Sequence, residues 1–335
     1  MIETPSHFLS CDWGTTSFRL RLVGVNDRQV VAQVSNAGGA KVISLQLAPG
    51  TGRAERAEAF ASHLRSSVGE LLAKSAVENR RLPIIVSGMA TSSVGWKELP
   101  YAAVPFRLDG ADARIEWLQL ERPDDSPLPV LLVSGVASAW EMMRGEETQV
   151  MGLLALPQFA MCREESLVIL PGTHSKHIRV RDRKVTDLQT YMTGELFQVL
   201  TEHSILKFTT ADADPLSLDQ SAFRAGVDAA RSPGLASSLF QVRARGILGG
   251  QPSDANRSFL SGLLVGAELV DLERAEFAGS ILLAAPDSIA SQYQLAADAL
   301  GIGRRLAIAD GGTLDRAVVE GQYQLWRQFA ERLKP

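Results

Sequence analysis

The stretch Cys11-Asp-Trp-Gly-Thr-Thr-Ser-Phe-Arg-Leu-Arg-Leu22 decides the architecture. An apolar run at 8–11 leads into it, 12–16 is rich in turn formers, and 18–23 alternates with period two. Two strands joined by a tight Gly/Thr turn are therefore expected at the start of the chain. The same grammar returns later. Residues 166–170 form a buried-type apolar run, Pro171-Gly-Thr-His-Ser175 is a turn, and 176–181 alternates before a second turn at 182–184. Both halves thus open as strand, polar Gly/Thr turn, strand, a similarity of architecture rather than a short repeat.

Working outward, a helical pattern over 54–77 precedes a bounded apolar strand at 82–86 that ends in Ser87-Gly88. A second such strand at 129–133 ends in Ser134-Gly135, and a helix is expected over 147–155. Arg122-Pro-Asp-Asp-Ser-Pro127 reads as a surface loop. The second half continues with helices near 194–206 and 259–275, a strand at 280–284, a helix from Ser288, a short strand at 306–309 and a terminal helix. Strands alternating with helices mean an α/β class with a partly parallel sheet. Pro157 and Arg163-Glu-Glu165 interrupt the apolar pattern, so the seam falls between domains 1–155 and 156–335, with the last helix able to pack back on the first domain.

Composition narrows the function. A chain of 335 residues suggests two domains. Apolar residues are 45%, charged residues 21% and net charge −4, which fits a globular protein and speaks against nucleic acid as the main partner. Two cysteines, Cys11 and Cys162, exclude a disulfide scaffold and a four-cysteine zinc site. The first eleven residues lack a signal-peptide pattern, and no run approaches the roughly 20 apolar residues of a membrane span. The expected location is cytoplasmic, with no membrane partner; a homo-oligomer is compatible with the sequence. No G-x-x-x-x-G-K-[ST], G-x-S-x-G or H-E-x-x-H occurs, and no G-x-G-x-x-G is completed.

Four segments could carry chemistry. In Asp12-Trp-Gly-Thr-Thr-Ser17, Gly14 permits an unusual backbone angle, and the amides and hydroxyls of Thr15 and Thr16 can cradle phosphate oxygens. Asp12 could hold Mg²⁺ through water. The same residue types also serve plain hairpins. Gly172, Thr173 and Lys176 repeat the pattern, whereas His174 and His177 read as surface residues and face opposite sides of a strand, a poor metal pair. Glu146 and Glu147 begin a helix: they complement its dipole, or one of them takes a proton from an attacking hydroxyl while Arg144 binds an anion. Ser87-Gly-Met-Ala-Thr-Ser-Ser-Val-Gly-Trp-Lys97 leaves the carboxyl end of a strand, where open α/β sheets bind ligands. Within it, Ser87, Gly88, Met89, Trp96 and Lys97 are substrate-binding candidates, with Lys97 or Arg144 for an acid group.

Eight segments together resemble one family: CDWGTTSFRLRL (11–22), SGMATSSVGWKELPY (87–101), VPFR (104–107), MRGEETQVMG (143–152), LPGTHSKHI (170–178), YMTGELF (191–197), RARGILG (243–249) and FLSGLLVGAEL (259–269). They are similar to the 2-dehydro-3-deoxygalactonokinases, within the actin/hexokinase/Hsp70-type ATPases. The resemblance implies two similar actin-like ATPase (ribonuclease H-like) domains, each a mixed sheet flanked by helices, with an interdomain cleft. It implies ATP-dependent phosphorylation of the 6-hydroxyl of 2-dehydro-3-deoxy-D-galactonate, with Mg²⁺. By position, Asp12, Gly14, Thr15 and Thr16 match the first phosphate motif, and Gly172, Thr173 and Lys176 the second. Glu146 or Glu147 matches the catalytic carboxylate, and Thr193 and Gly194 a phosphate or substrate contact. Where relatives carry a small Gly-containing turn near adenosine, this chain has Leu283-Ala-Ala-Pro-Asp-Ser288, and Pro286 lacks an N–H. Another sugar-acid kinase and a non-catalytic ATP-binding sensor are the competing readings.

Overall fold

The computed structural model describes residues 5–330 apart from 76, 78–81, 124, 215, 233 and 275–278. Two compact units form. Unit 1 takes residues up to Glu164, Arg181–Asp187 and the segment from Gly312; unit 2 takes Glu165–Val180 and Leu188–Gly311.

Unit 1 begins with β1 (His7–Trp13), β2 (Phe18–Gly24), β3 (Val30–Asn36), α1 (Ala40–Gln46), α2 (Arg53–Ala73) and β4 (Ile84–Gly88). Two short strands, β5 (Ala102–Ala103) and β6 (Phe106–Arg107), precede β7 (Ile115–Arg122) and β8 (Asp125–Val133). Short β9 (Val136–Ala137) and β10 (Met142–Met143) lead into α3 (Glu146–Ala155). The main sheet runs β3-β2-β1-β4-β8-β7. β1 is antiparallel to β2 and parallel to β4, which is parallel to β8. β1 and β4 are covered on both faces, which is why they read as nearly continuous apolar runs. Phe60, Leu64, Val68 and Leu71 of α2 recur at helical spacing and pack with Leu9, Cys11, Trp13 and Val86 in one core.

Unit 2 contains β11 (Glu165–Leu170), β12 (Ser175–Arg181) up to Val180, β13 (Lys184–Tyr191) from Leu188 on, α4 (Thr193–His203), α5 (Gln220–Ala230), α6 (Leu235–Leu248) and α7 (Ser253–Arg274). β14 (Ser280–Ala284), α8 (Asp287–Ala299) and β15 (Leu306–Ala309) complete it. Its strands run β15-β14-β11-β12-β13, with β11 parallel to β14 and β14 to β15. Both units therefore share one plan: three consecutive strands side by side, then two more added beside the first, parallel to it, with antiparallel β7 an extra edge strand in unit 1. This is the duplicated mixed-sheet fold that the resemblance implied.

The terminal helix α9 (Gly311–Phe329) packs on the sheet of unit 1. Gln322 Nε2, fully buried, donates to Cys11 O and Ser87 Oγ, both at 2.8 Å. Arg21, 1% exposed inside β2, reaches Asp315 of α9 at 2.8 Å, so its buried charge is paired. α3 and α9 touch backbone to backbone. A Cβ on Gly152 would lie 1.7 Å from Ala317 O, and one on Gly321 2.0 Å from Thr148 O.

Several elements differ from the sequence reading. Residues 122–127 are not a surface loop: β7 ends at Arg122, β8 begins at Asp125, and those two residues pair across a tight hairpin. Prolines 127 and 129 are tolerated because β4 pairs with β8 only over 130–132, leaving one side of β8 open there. Pattern reading passes over β3, an exposed edge strand, and α5 and α6. The helix expected over 54–77 ends at Ala73, and the expected helix end at 275 lies outside the described residues.

Candidate active site

The first Gly/Thr turn joins β1 to β2. Gly14 N–H donates to Ser17 O at 2.9 Å, and the carbonyls of Gly14 and Thr15 accept from Ala40 and Lys41 N–H at 2.9 and 3.0 Å. With those carbonyls turned toward α1, the N–H groups of exposed Thr15 and Thr16 find no acceptor among the described residues. Outward-facing amides of this kind suit an oxyanion. Gly14 does not use the unusual angle open to it; a Cβ there would meet Ser17 Oγ at 2.9 Å, a side-chain end that can turn away, and Ser17 O at 3.3 Å. Asp12, next to last in β1, lies opposite Ser87 of β4. Burial pushes its carboxyl up, against the opposing pull of Arg21 and Arg19.

At this site the positive φ falls on two other glycines. Gly88 ends β4 at +95° and Gly145 precedes α3 at +109°. A Cβ on Gly88 would stand 2.6 Å from Trp13 O, and one on Gly145 3.3 Å from Gly88 Cα. Only glycine meets both demands, and the result is that the N-terminus of α3 lies against the end of β4. Glu146 and Glu147 emerge there. Glu146 Oε2 accepts Arg144 N–H at 2.8 Å. Glu147 Oε2 accepts Gly145 N–H at 2.8 Å, and its Oε1 accepts from Thr148 Oγ1 at 3.0 Å. Glu147 is buried, and burial followed by the neighbouring charge of Glu146 pushes its carboxyl up to about 7. Glu146 is half-buried.

Arg144 is a strut. Its Nη1 donates to Thr91 Oγ1 at 2.6 Å, its Nη2 to Leu99 O at 3.4 Å, and its guanidinium lies 4.1 Å from the Tyr101 ring centre. It thereby ties the start of α3 to the segment following β4. That segment helps line a cavity of about 940 Å³ in unit 1 with Thr51, Arg53, Arg56, Ser93, Trp96 and Lys97 on its wall. Arg56 Nη1 donates to Ser93 O at 3.3 Å.

In unit 2, Gly172 and Thr173 are exposed at the β11–β12 turn, and the N-terminus of α4 lies against them. A Cβ on Gly194 would stand 2.5 Å from Gly172 O, and Glu195 N–H donates to Thr173 O at 3.0 Å. The turn borders a cavity of about 350 Å³. Thr193, Arg257, Ser261, Gln292 and Tyr293 line it together with apolar Phe197, Leu264 and Ile289. A small-residue turn at the mouth of a pocket of mixed polarity suits a phosphorylated ligand with a flat apolar part.

Not every sequence candidate reaches these openings. Lys176 is buried and donates to Thr190 Oγ1 at 3.0 Å, so it does not point from the turn as a phosphate lysine would. His177 is also buried, which corrects its reading as a surface residue, while His174 is exposed and bonded to Glu195. Ser87 is interior and accepts from Gln322. Met89 packs on the core that also holds Trp13. Trp96 and Lys97 do reach the larger cavity, Trp96 largely buried with its ring 6.2 Å from that of Trp13 and Lys97 paired with Glu116.

Residues 12–323 match the sequence family described as 2-keto-3-deoxy-galactonokinase. The chain belongs to this family. It is 34% identical over 312 residues to a 2-dehydro-3-deoxygalactonokinase by name of Rhizobium meliloti (strain 1021), covering 92% of this chain and 94% of that one. It is 30% identical over 304 residues to the 2-dehydro-3-deoxygalactonokinase of Escherichia coli (strain K12), covering 88% and 91%. A crystal structure described under the same enzyme name, from Sinorhizobium meliloti, superposes with a TM-score of 0.78 at 32% identity, over 96% of this chain and 98% of that one.

In this galactonokinase-family chain, pattern reading missed Arg53, Arg56, Glu268 and Tyr293. Arg53 and Arg56 look like ordinary helix-surface charges in a linear sequence. Glu268 did leave a signal: a lone carboxylate inside the apolar helical run 259–269, which must find partners once buried. As for Mg²⁺, no three His, Cys, Asp or Glu side chains converge on a metal-sized site among the described residues. Mg²⁺ brought by a nucleotide needs no such cage, only phosphate oxygens, waters and one or two carboxylates. Asp12, beside the first turn, has the chemistry for a contact through water.

Proposed function

We propose that the chain transfers the γ-phosphoryl group of ATP to the terminal 6-hydroxyl of 2-dehydro-3-deoxy-D-galactonate, giving the 6-phosphate and ADP. The observation that carries this reading is the family match along nearly the whole chain, in which the matching acidic motif holds a carboxylate poised near neutrality. Unit 2 takes the nucleotide: its phosphates lie on the amides of Gly172 and Thr173 and the N-terminus of α4, and its base enters the cavity beside Ser261 and Gln292. In unit 1, the amides of Thr15 and Thr16 take phosphate oxygens. Glu147 accepts the proton of the attacking hydroxyl, because a base with a pKa near the working pH serves best. Glu146 keeps that pKa raised, and Arg144 holds α3 in place rather than binding the acid. The substrate carboxylate goes to Arg56 and Arg53 at the larger cavity, with Lys97 already neutralised by Glu116. When bound, Mg²⁺ would neutralise charge on the transferring group.

Lys176 and Ser87 have no direct part in this reading. Among the described residues no helix is long and apolar enough to cross a membrane. Cys11 and Cys162 are buried and form no disulfide, which supports work in the cytoplasm, where ATP is available. Arg56→Met tests the acceptor site. The KM for the sugar acid should rise by about tenfold or more, the worth of a charged hydrogen bond, with the KM for ATP unchanged. An unchanged KM for the acid would remove Arg56 from the site.

A further inference from the structure

Glu268 of α7 lies at the centre of a buried cluster in unit 2. Its residue is 1% exposed. Oε1 accepts from Ser175 Oγ at 2.6 Å and from His177 Nε2 at 2.9 Å. Oε2 accepts from Tyr293 OH at 2.7 Å and from Thr193 Oγ1. Burial alone would raise this carboxyl, but the hydrogen bond and charge of His177, with the hydroxyls of Ser175 and Thr193, outweigh it and hold it below its ordinary value. An ionised carboxylate is acceptor-only, with about four lone-pair sites, and here four donors fill them. The donors come from three different elements: Ser175 and His177 from β12, Thr193 from the first residue of α4, Tyr293 from α8.

Three consequences follow from that saturation. The hydroxyl protons of Ser175, Thr193 and Tyr293 all point at Glu268. Thr193 therefore cannot also donate its proton to a phosphate, although it lines the cavity. And the strand leaving the Gly172–Thr173 turn is pinned to the helix whose N-terminus lies against that turn. We infer that Glu268 is the positioning residue of the nucleotide site: it fixes β12, α4 and α8 around the turn so that the turn's own backbone, not the hydroxyls of Ser175 and Thr193, meets the phosphates. Glu268 touches no substrate itself. This inference rests on the proposed placement of the nucleotide in unit 2.

The test is calorimetric binding of a non-hydrolysable ATP analogue to the full chain, with steady-state kinetics alongside. Glu268→Gln keeps the shape but removes the charge and puts an –NH₂ where one oxygen accepted two hydrogen bonds, so the donors on that side must turn elsewhere. Affinity for the analogue and the KM for ATP should worsen by about tenfold or more, while the KM for the sugar acid stays within about twofold. His177→Gln and Ser175→Ala each remove or soften one donor and should give the same pattern in smaller measure, which keeps the inference testable if Glu268→Gln fails to fold. Wild-type binding of the analogue with equal binding by the variants would overturn the positioning role alone. A parallel rise in both KM values would reduce the cluster to general stability and likewise overturn it. Absence of analogue binding by the wild type would overturn the nucleotide reading beneath it.

Discussion

Glu147 shows how a single residue's surroundings can set its chemistry. Its carboxyl is raised to about 7 because burial and the charge of Glu146 disfavour the ion, against hydrogen bonds from Gly145 N–H and Thr148 that favour it. A base must be ionised to accept a proton, so kcat/KM should rise with pH through about 7 and level off above it. Glu146→Gln removes the like charge and should move that rise to lower pH, visible in a pH–rate profile; an unmoved profile would mean that Glu146 is not coupled to the base. Glu147→Gln should lower kcat by about 10²-fold or more while the nucleotide still binds. The same raised pKa has a cost to stability. A carboxyl that holds its proton more tightly when folded favours folding below its unfolded pKa and loses that advantage as pH rises through the folded value. At pH 8 Glu147→Gln should therefore unfold no more easily than the wild type, and by up to about 3 kcal/mol less easily, as measured by denaturant titration.

At the scale of elements, glycines decide which backbones may touch. Gly152 is the last residue of the MRGEETQVMG segment and stands where α3 meets α9, its missing Cβ only 1.7 Å from Ala317 O. Gly152→Ala should push the helices apart and lower stability by about 1–3 kcal/mol, seen as a lower denaturant midpoint at unchanged slope. Gly194→Ala would drive a methyl into Gly172 O and should raise the KM for ATP by about tenfold, checked against an unchanged KM for the acid. The strand–turn–strand openings were legible in the sequence because apolar runs, period-two alternation and Gly/Thr turns coincide there. β3 was not, because an edge strand with an exposed face carries little apolar signal. The glycine demands at Gly88 and Gly145 were also hidden, since a positive φ depends on what the neighbouring strand places nearby. The acidic pair was legible as a motif, but only burial separates Glu147 from Glu146. Lys176 misled for the reverse reason: its place beside a Gly/Thr turn does not tell which face of β12 it occupies.

The whole molecule is one strand plan used twice, each copy carrying an exposed Gly/Thr turn, and the two copies diverge in what surrounds the turn. Unit 1 adds the acidic start of α3 and a cavity edged by arginines; unit 2 adds the saturated carboxylate of Glu268 and a smaller cavity of mixed polarity. α9, from the end of the chain, secures the first copy through Gln322, so Gln322→Leu should leave Ser87 and Cys11 O short of a donor and cost about 1–3 kcal/mol. The most direct measurement is ADP release with Mg²⁺–ATP and either 2-dehydro-3-deoxygalactonate or its gluconate epimer, on wild type and Glu147→Gln. The account predicts fast turnover of the galactonate compound by the wild type, slower turnover of the epimer, and loss of both in the variant. Turnover of neither compound by a wild type that binds ATP, or full activity in Glu147→Gln, would contradict it.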